Sequence, residues 1–204
     1  MKLFFFSGVF MVFVDFLTYP FAALGMLLIL YFLFYSNSLK NNILTLIRLS
    51  VSWLIGYAGM WAGKWLMATC ITGENILKDA LDQAEERSVG GEVSGLGSGP
   101  FAGIRRAFEA VDGKFFAIVA FVVIVLALLA IVFKKYRIQL DRNKVFSLAL
   151  VCLYPFVWYM VLWNHSVIHN WMAYRELVIS VFGVLCIGAV SMVRTQNCSL
   201  KDQN

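Results

Sequence analysis

The chain has 204 residues, of which 61% are hydrophobic and only 14% charged, against roughly 25% charged in an ordinary soluble domain, and its mean hydropathy is +0.78. That composition excludes a soluble domain and predicts an all-α fold, a multi-pass transmembrane helical bundle of about five to six membrane helices with one external helical loop. The net charge of +5 does not indicate nucleic acid, because the basic residues stand at the ends of apolar runs rather than in one patch.

In chain order, the first apolar stretch, Leu3–Tyr35, is too long for one helix across a hydrocarbon core of about 30 Å. Asp15, Thr18 and Pro20 predict a break, with Pro20 in the first turn of a new helix and Thr18 as its cap. Leu3–Val14 is then a half-length helix, one that re-enters or belongs to a longer or truncated protein. It is not a cleaved signal, since Asp15–Pro20 has none of the small residues of a cleavage site. A polar turn at Ser36–Asn42 precedes a second apolar run, Ile43–Met67, which carries Arg48 near its start and Lys64 near its end. Within it Gly59 and Gly63 have the spacing that lets helix backbones approach closely in lipid, so they are the expected contact with a neighbouring helix.

Residues 1–68 therefore form a unit of membrane helices, and residues 69–114 an extracytoplasmic loop. In that loop Glu74–Arg87 has the stripe of an amphipathic helix. Val89–Pro100 is a glycine-rich hinge, and Phe101, Ile104, Phe108 and Val111 mark a second short amphipathic helix on the membrane surface or on its partner. Residues 115–204 hold three membrane helices and a short cytoplasmic tail: Phe115–Phe133, which has no charge, Val145–Trp163, which Pro155 is expected to kink, and Leu177–Val193.

Lys134–Lys144 contains Lys134, Lys135, Arg137, Arg142 and Lys144 against the single acid Asp141, a cytoplasmic signature. Counting spans from it places the tail after Arg194 inside, and Thr69–Lys114 and Asn164–Arg175 outside. Asp15 falls on that same outer side.

The residues with chemistry concentrate in Asn164-His-Ser-Val-Ile-His-Asn-Trp-Met-Ala-Tyr-Arg175. His165 and His169 are four residues apart, which on a helix puts both imidazoles on one face. They suit metal ligation, proton relay or donation to a phosphate, or, structurally, hydrogen bonds to loop backbone. The zinc reading is weak, because Ser166 stands where a metalloprotease has Glu. Cys70, Cys152, Cys186 and Cys198 have no metal-site or redox spacing, so no metal is assigned. Arg175 has the fork suited to bidentate phosphate recognition and Tyr174 adds a hydroxyl beside it; the alternative for Arg175 with Glu176 is an interfacial pair. Asp15 is either a general base or a helix cap, and Lys64 reads as a snorkelling charge.

Two stretches, Asp15-Phe-Leu-Thr-Tyr-Pro20 with Leu24-Gly25, and Asn164-His-Ser-Val-Ile-His169 continuing to Tyr174-Arg175, resemble the C-terminal half of large bacterial multi-pass membrane proteins similar to GT-C-type glycosyltransferases. The resemblance implies a polyprenyl-phosphate-sugar donor and an active site on the extracytoplasmic face of the bacterial inner membrane, in cell-envelope glycan synthesis. In that reading Asp15 is the catalytic residue, while Asn164, His165, His169, Tyr174 and Arg175 bind substrate. It also implies that the N-terminal half, with its own acidic external loop, is missing, so the chain is either part of such an enzyme or an inactive fragment. A different class fits the same residues: a non-enzymatic subunit or transporter-like bundle whose expected partners are membrane lipid and a helix docked at Gly59 and Gly63.

The topology has a direct check. A cysteine introduced within Val89–Pro100 is expected to react with a membrane-impermeant reagent in intact cells and one within Lys134–Lys144 to stay protected; the reverse pattern inverts the orientation.

Overall fold

The computed structural model describes residues 1–14, 20–89, 98–111, 113–132, 136–138 and 141–194. It is helical apart from one short ladder. The helices are α1 (Lys2–Val14), α2 (Pro20–Phe34), α3 (Leu39–Thr72), α4 (Ile76–Val89), α5 (Pro100–Ala110) and α6 (Gly113–Val132). They continue as α7 (Arg142–Cys152), α8 (Tyr154–Val161), α9 (Trp163–Ile168), α10 (Asn170–Ala173), a 3-10 turn at Tyr174–Leu177, and α11 (Val178–Ser191). Strands β1 (Tyr136–Ile138) and β2 (Met192–Arg194) pair antiparallel, Arg137 opposite Val193. This ladder joins the basic connection to the end of α11, two segments that the charge count places on one side.

Among the described residues three segments are long and apolar enough to cross a membrane: Leu39–Thr72, Arg142–Val161 and Asn170–Ser191. Lys2–Val14, Pro20–Phe34 and Val119–Leu129 are shorter apolar helices, so fewer helices reach full span length than composition suggests. The charge-free run beginning at Phe115 lies in α6, whose Phe121, Ile124, Leu126 and Leu129 are all exposed. The expected kink at Pro155 is a break at Leu153, after which α8 starts with Pro155 in its first turn, where the missing N–H costs little. Gly73 ends α3 with φ of 73°, its N–H on the Thr69 carbonyl, a left-handed cap that glycine adopts without strain.

The main core lies where α1, α2, α3, α7 and α11 meet, around Leu28, Ile29, Phe32, Trp53, Leu148, Val151 and Ile179. α1 runs parallel to α3 with their backbones in contact. A Cβ on Gly8 would collide with the Trp53 carbonyl, and one on Gly56 with the Phe5 carbonyl. Among the described residues nothing lies within 4 Å of a Cβ at Gly59 or Gly63. The close approach inside the chain falls instead at Gly56, against Phe5, and at Gly8 of α1, against Trp53.

Gly8→Leu or Gly56→Leu is expected to lower stability by more than about 1–3 kcal/mol, since the clash is with backbone rather than a movable side chain. Gly59→Leu is expected to stay within about 0.5 kcal/mol. Unfolding of the purified protein in detergent separates the two outcomes.

Candidate functional site

At Leu162 (φ −109°, ψ 52°) the chain leaves the axis of α8, and at His169 (φ −109°, ψ 34°) it turns again. Between these two corners α9 is a short helix, and its His169 N–H bonds to the His165 carbonyl at 2.9 Å. The two imidazoles lie together, ring centroids 4.8 Å apart and tilted by 50°. They differ in environment: His165 is buried and His169 exposed. The four-residue spacing thus yields a pair with one ring inside the fold and one at its rim.

Helices from residues 69–114 pack on this short helix. α5 packs on α8, α9 and α10, and α4 packs on α9. Gly103 brings the α5 backbone against the Tyr159 carbonyl, with Ser166 Cβ and Trp163 Cα each 3.3 Å from where its Cβ would stand. Only glycine permits that approach. α5 buries Ala102, Gly103 and Ala107 rather than its expected stripe, of which Phe101 and Phe108 are exposed. On the other side Asn164, buried, donates through Nδ2 to the Glu86 carbonyl of α4 at 2.8 Å. Its Oδ1 is buried with no hydrogen-bond partner among the described residues. Residues 90–97 of the glycine-rich hinge expected over Val89–Pro100 lie outside the described residues.

The residue that the sequence reading missed is Glu176. It is fully buried rather than at a water interface. Its Oε1 accepts the backbone N–H of Phe21, in the first turn of α2, at 2.9 Å across 155 positions of sequence. An apolar helix start leaves N–H groups that lipid cannot satisfy, and the helix dipole favours a carboxylate there. The available signal was an acid at the mouth of an apolar run, which must find donors to be tolerated. Nearby, the Tyr159 hydroxyl donates to the Ala173 carbonyl at 2.9 Å, fastening α8 to α10. Lys64 also does more than snorkel: its Nζ donates to the Val12 carbonyl at 2.9 Å and stands 4.5 Å from the Phe13 ring centroid, complementing the C-terminal end of α1.

His165 and His169 are therefore brought together, and Asn164 beside them is turned to α4. Tyr174, half-buried, and Arg175, exposed, follow in the 3-10 turn that leads to Glu176. Asp15 and Thr18 lie outside the described residues, between Val14, which closes α1, and Pro20, which opens α2 beside Glu176. No third His, Cys, Asp or Glu joins the histidines to make a metal-binding group among the described residues. What the arrangement offers is donors, an exposed imidazole and an exposed guanidinium, at the rim of a covered polar layer.

Glu176→Ala is expected to cost about 2–3 kcal/mol, the loss of a charged acceptor from a buried N–H. Glu176→Gln keeps an acceptor in place and is expected to cost about 1 kcal/mol, the loss of the helix-dipole contribution. Equal stability of Glu176→Ala and the unaltered protein would sink the capping role. No protein-family model, curated protein or solved structure matches this chain, so the reading of the site rests on its geometry.

Proposed function

We propose that the chain is a multi-pass integral membrane protein whose outer end binds the phosphate of a lipid-linked sugar, as part of a polyprenyl-phosphate-sugar-dependent glycosyltransferase. The membrane reading is supported by the three apolar helices of spanning length. It is supported too by the ladder that joins the basic connection to the end of α11, and by the packing of α4 and α5 on α9. Segments assigned to opposite sides of a bilayer by charge thus sit with their own kind.

The observation that carries the site reading is the His165–His169 pair under the α4–α5 cap, followed in the next turn by exposed Arg175. In the proposed reaction Arg175 and His169 hold the phosphate of the donor, and Asp15 accepts the proton of an acceptor hydroxyl. The hydroxyl oxygen bonds to the anomeric carbon as the carbon–oxygen bond to the phosphate breaks, and its electron pair leaves on the lipid phosphate. A non-enzymatic membrane component is the second reading. It is favoured by one observation: the buried polar side chains Asn164 and Glu176 are engaged with α4 and α2 as structural ties.

His169→Ala and Arg175→Ala are each expected to weaken polyprenyl-phosphate binding about 10- to 100-fold, the equivalent of a hydrogen bond to a charged group. Asp15→Asn is expected to leave binding intact and slow transfer by about 100-fold or more. Binding can be measured with the purified lipid phosphate and transfer with its sugar-loaded form. A protein that inserts normally yet binds no polyprenyl phosphate supports the component reading and ends the enzymatic one.

A further inference from the structure

Arg48 is the one charged residue between Lys40 and Lys64 on α3. It is exposed, on a face where Leu44, Ile47, Val51 and Ile55 are exposed too, and it has no ion-pair partner among the described residues. In lipid such a position is unfavourable unless the guanidinium reaches an anion or an interface. Beside it the first turn of α1 meets α3, where Ser52 Oγ donates to the Met1 carbonyl at 3.2 Å. A cleft of about 250 Å³ opens there, lined by Met1, Phe5, Ile47, Val51 and Ile55 with Arg48 on its wall. That is the volume of about eight waters at about 30 Å³ each, and an apolar lining gives water few hydrogen bonds.

Depth decides what fits. Arg48 stands about 13 Å from the start of α3, and about 9 Å beyond Asn42. Asn42 belongs to a polar layer in which its Nδ2 donates to Ser147 Oγ at 2.9 Å and Lys144 Nζ donates to the Leu33 carbonyl at 3.1 Å. Helix side chains lean toward the N-terminal end, so the Arg48 guanidinium is carried toward that layer and away from the bilayer centre.

From this juxtaposition of a cation near headgroup depth with an apolar slot above it, we infer that the α1–α3 cleft is a binding site for an anionic phospholipid of the surrounding bilayer. Its phosphate sits on Arg48 and one acyl chain lies along Phe5, Val51 and Ile55. The inference rests on the membrane reading alone and is independent of sugar transfer.

The test is native mass spectrometry of the detergent-purified full chain, titrated with dioleoylphosphatidylglycerol and with dioleoylphosphatidylcholine. Phosphatidylglycerol is expected to bind about five-fold tighter, the increment of one basic residue near an anionic headgroup. Arg48→Gln should erase the preference, Arg48→Lys should keep it, and Val51→Trp should weaken both lipids by filling the slot. Equal affinity for the two lipids, or an undiminished preference in Arg48→Gln, overturns the inference. So does disulfide trapping of Val51→Cys to a second polypeptide in native membranes, which would give the cleft to a protein helix. Resistance of the chain to alkaline extraction from membranes is scored separately: its loss refutes the membrane reading itself, whereas retention without a lipid preference refutes only this site.

Discussion

A short apolar helix in apolar surroundings has a problem at each end, where backbone groups lack partners, and α2 meets it with two charges. Glu176 Oε1 accepts the Phe21 N–H at its start and Lys144 Nζ donates to the Leu33 carbonyl at its finish. Both signs match the helix dipole. Each partner comes from more than a hundred residues away, so two local satisfactions set the depth of α2 in the bundle. Once there, Phe21 lays its ring between Trp53 of α3 and Trp158 of α8, with centroids 5.9 and 5.1 Å away. Lys64 does the same for the end of α1, and Asp141 for the start of α7, where it accepts the Lys144 N–H at 3.1 Å. In a chain with so few charges, these charges are used at helix termini, where backbone groups lack intrahelical partners.

This use of charge shapes the candidate site. The carboxylate that positions α2 follows directly on Tyr174 and Arg175, so the turn that presents them is tied to the helix preceded by Asp15. On the opposite side the cap formed by α4 and α5 is held by a side chain of the histidine motif itself, through Asn164 and Glu86. Beside it His165 is buried and His169, at the corner where the chain turns, is exposed. The site is thus a junction of three elements, and its polar residues divide between those that hold the junction and those at its rim.

The sequence alone determined the apolar helices from the length of their runs, the periodicity of the two amphipathic helices α4 and α5, the break near Pro155, and the adjacency of His165 and His169. These depend on composition and on spacing within a few residues, which one strand of text contains. Tertiary structure alone decided that Gly56 lies against the Phe5 carbonyl and Gly8 against the Trp53 carbonyl, because each approach needs the backbone of the other helix at that point. It alone set Glu176 against the start of α2 and Lys64 against the end of α1. A charge beside an apolar run reads the same whether it reaches water or a distant helix terminus. The difference lies in which backbone group arrives next to it, and only the packed chain supplies that neighbour.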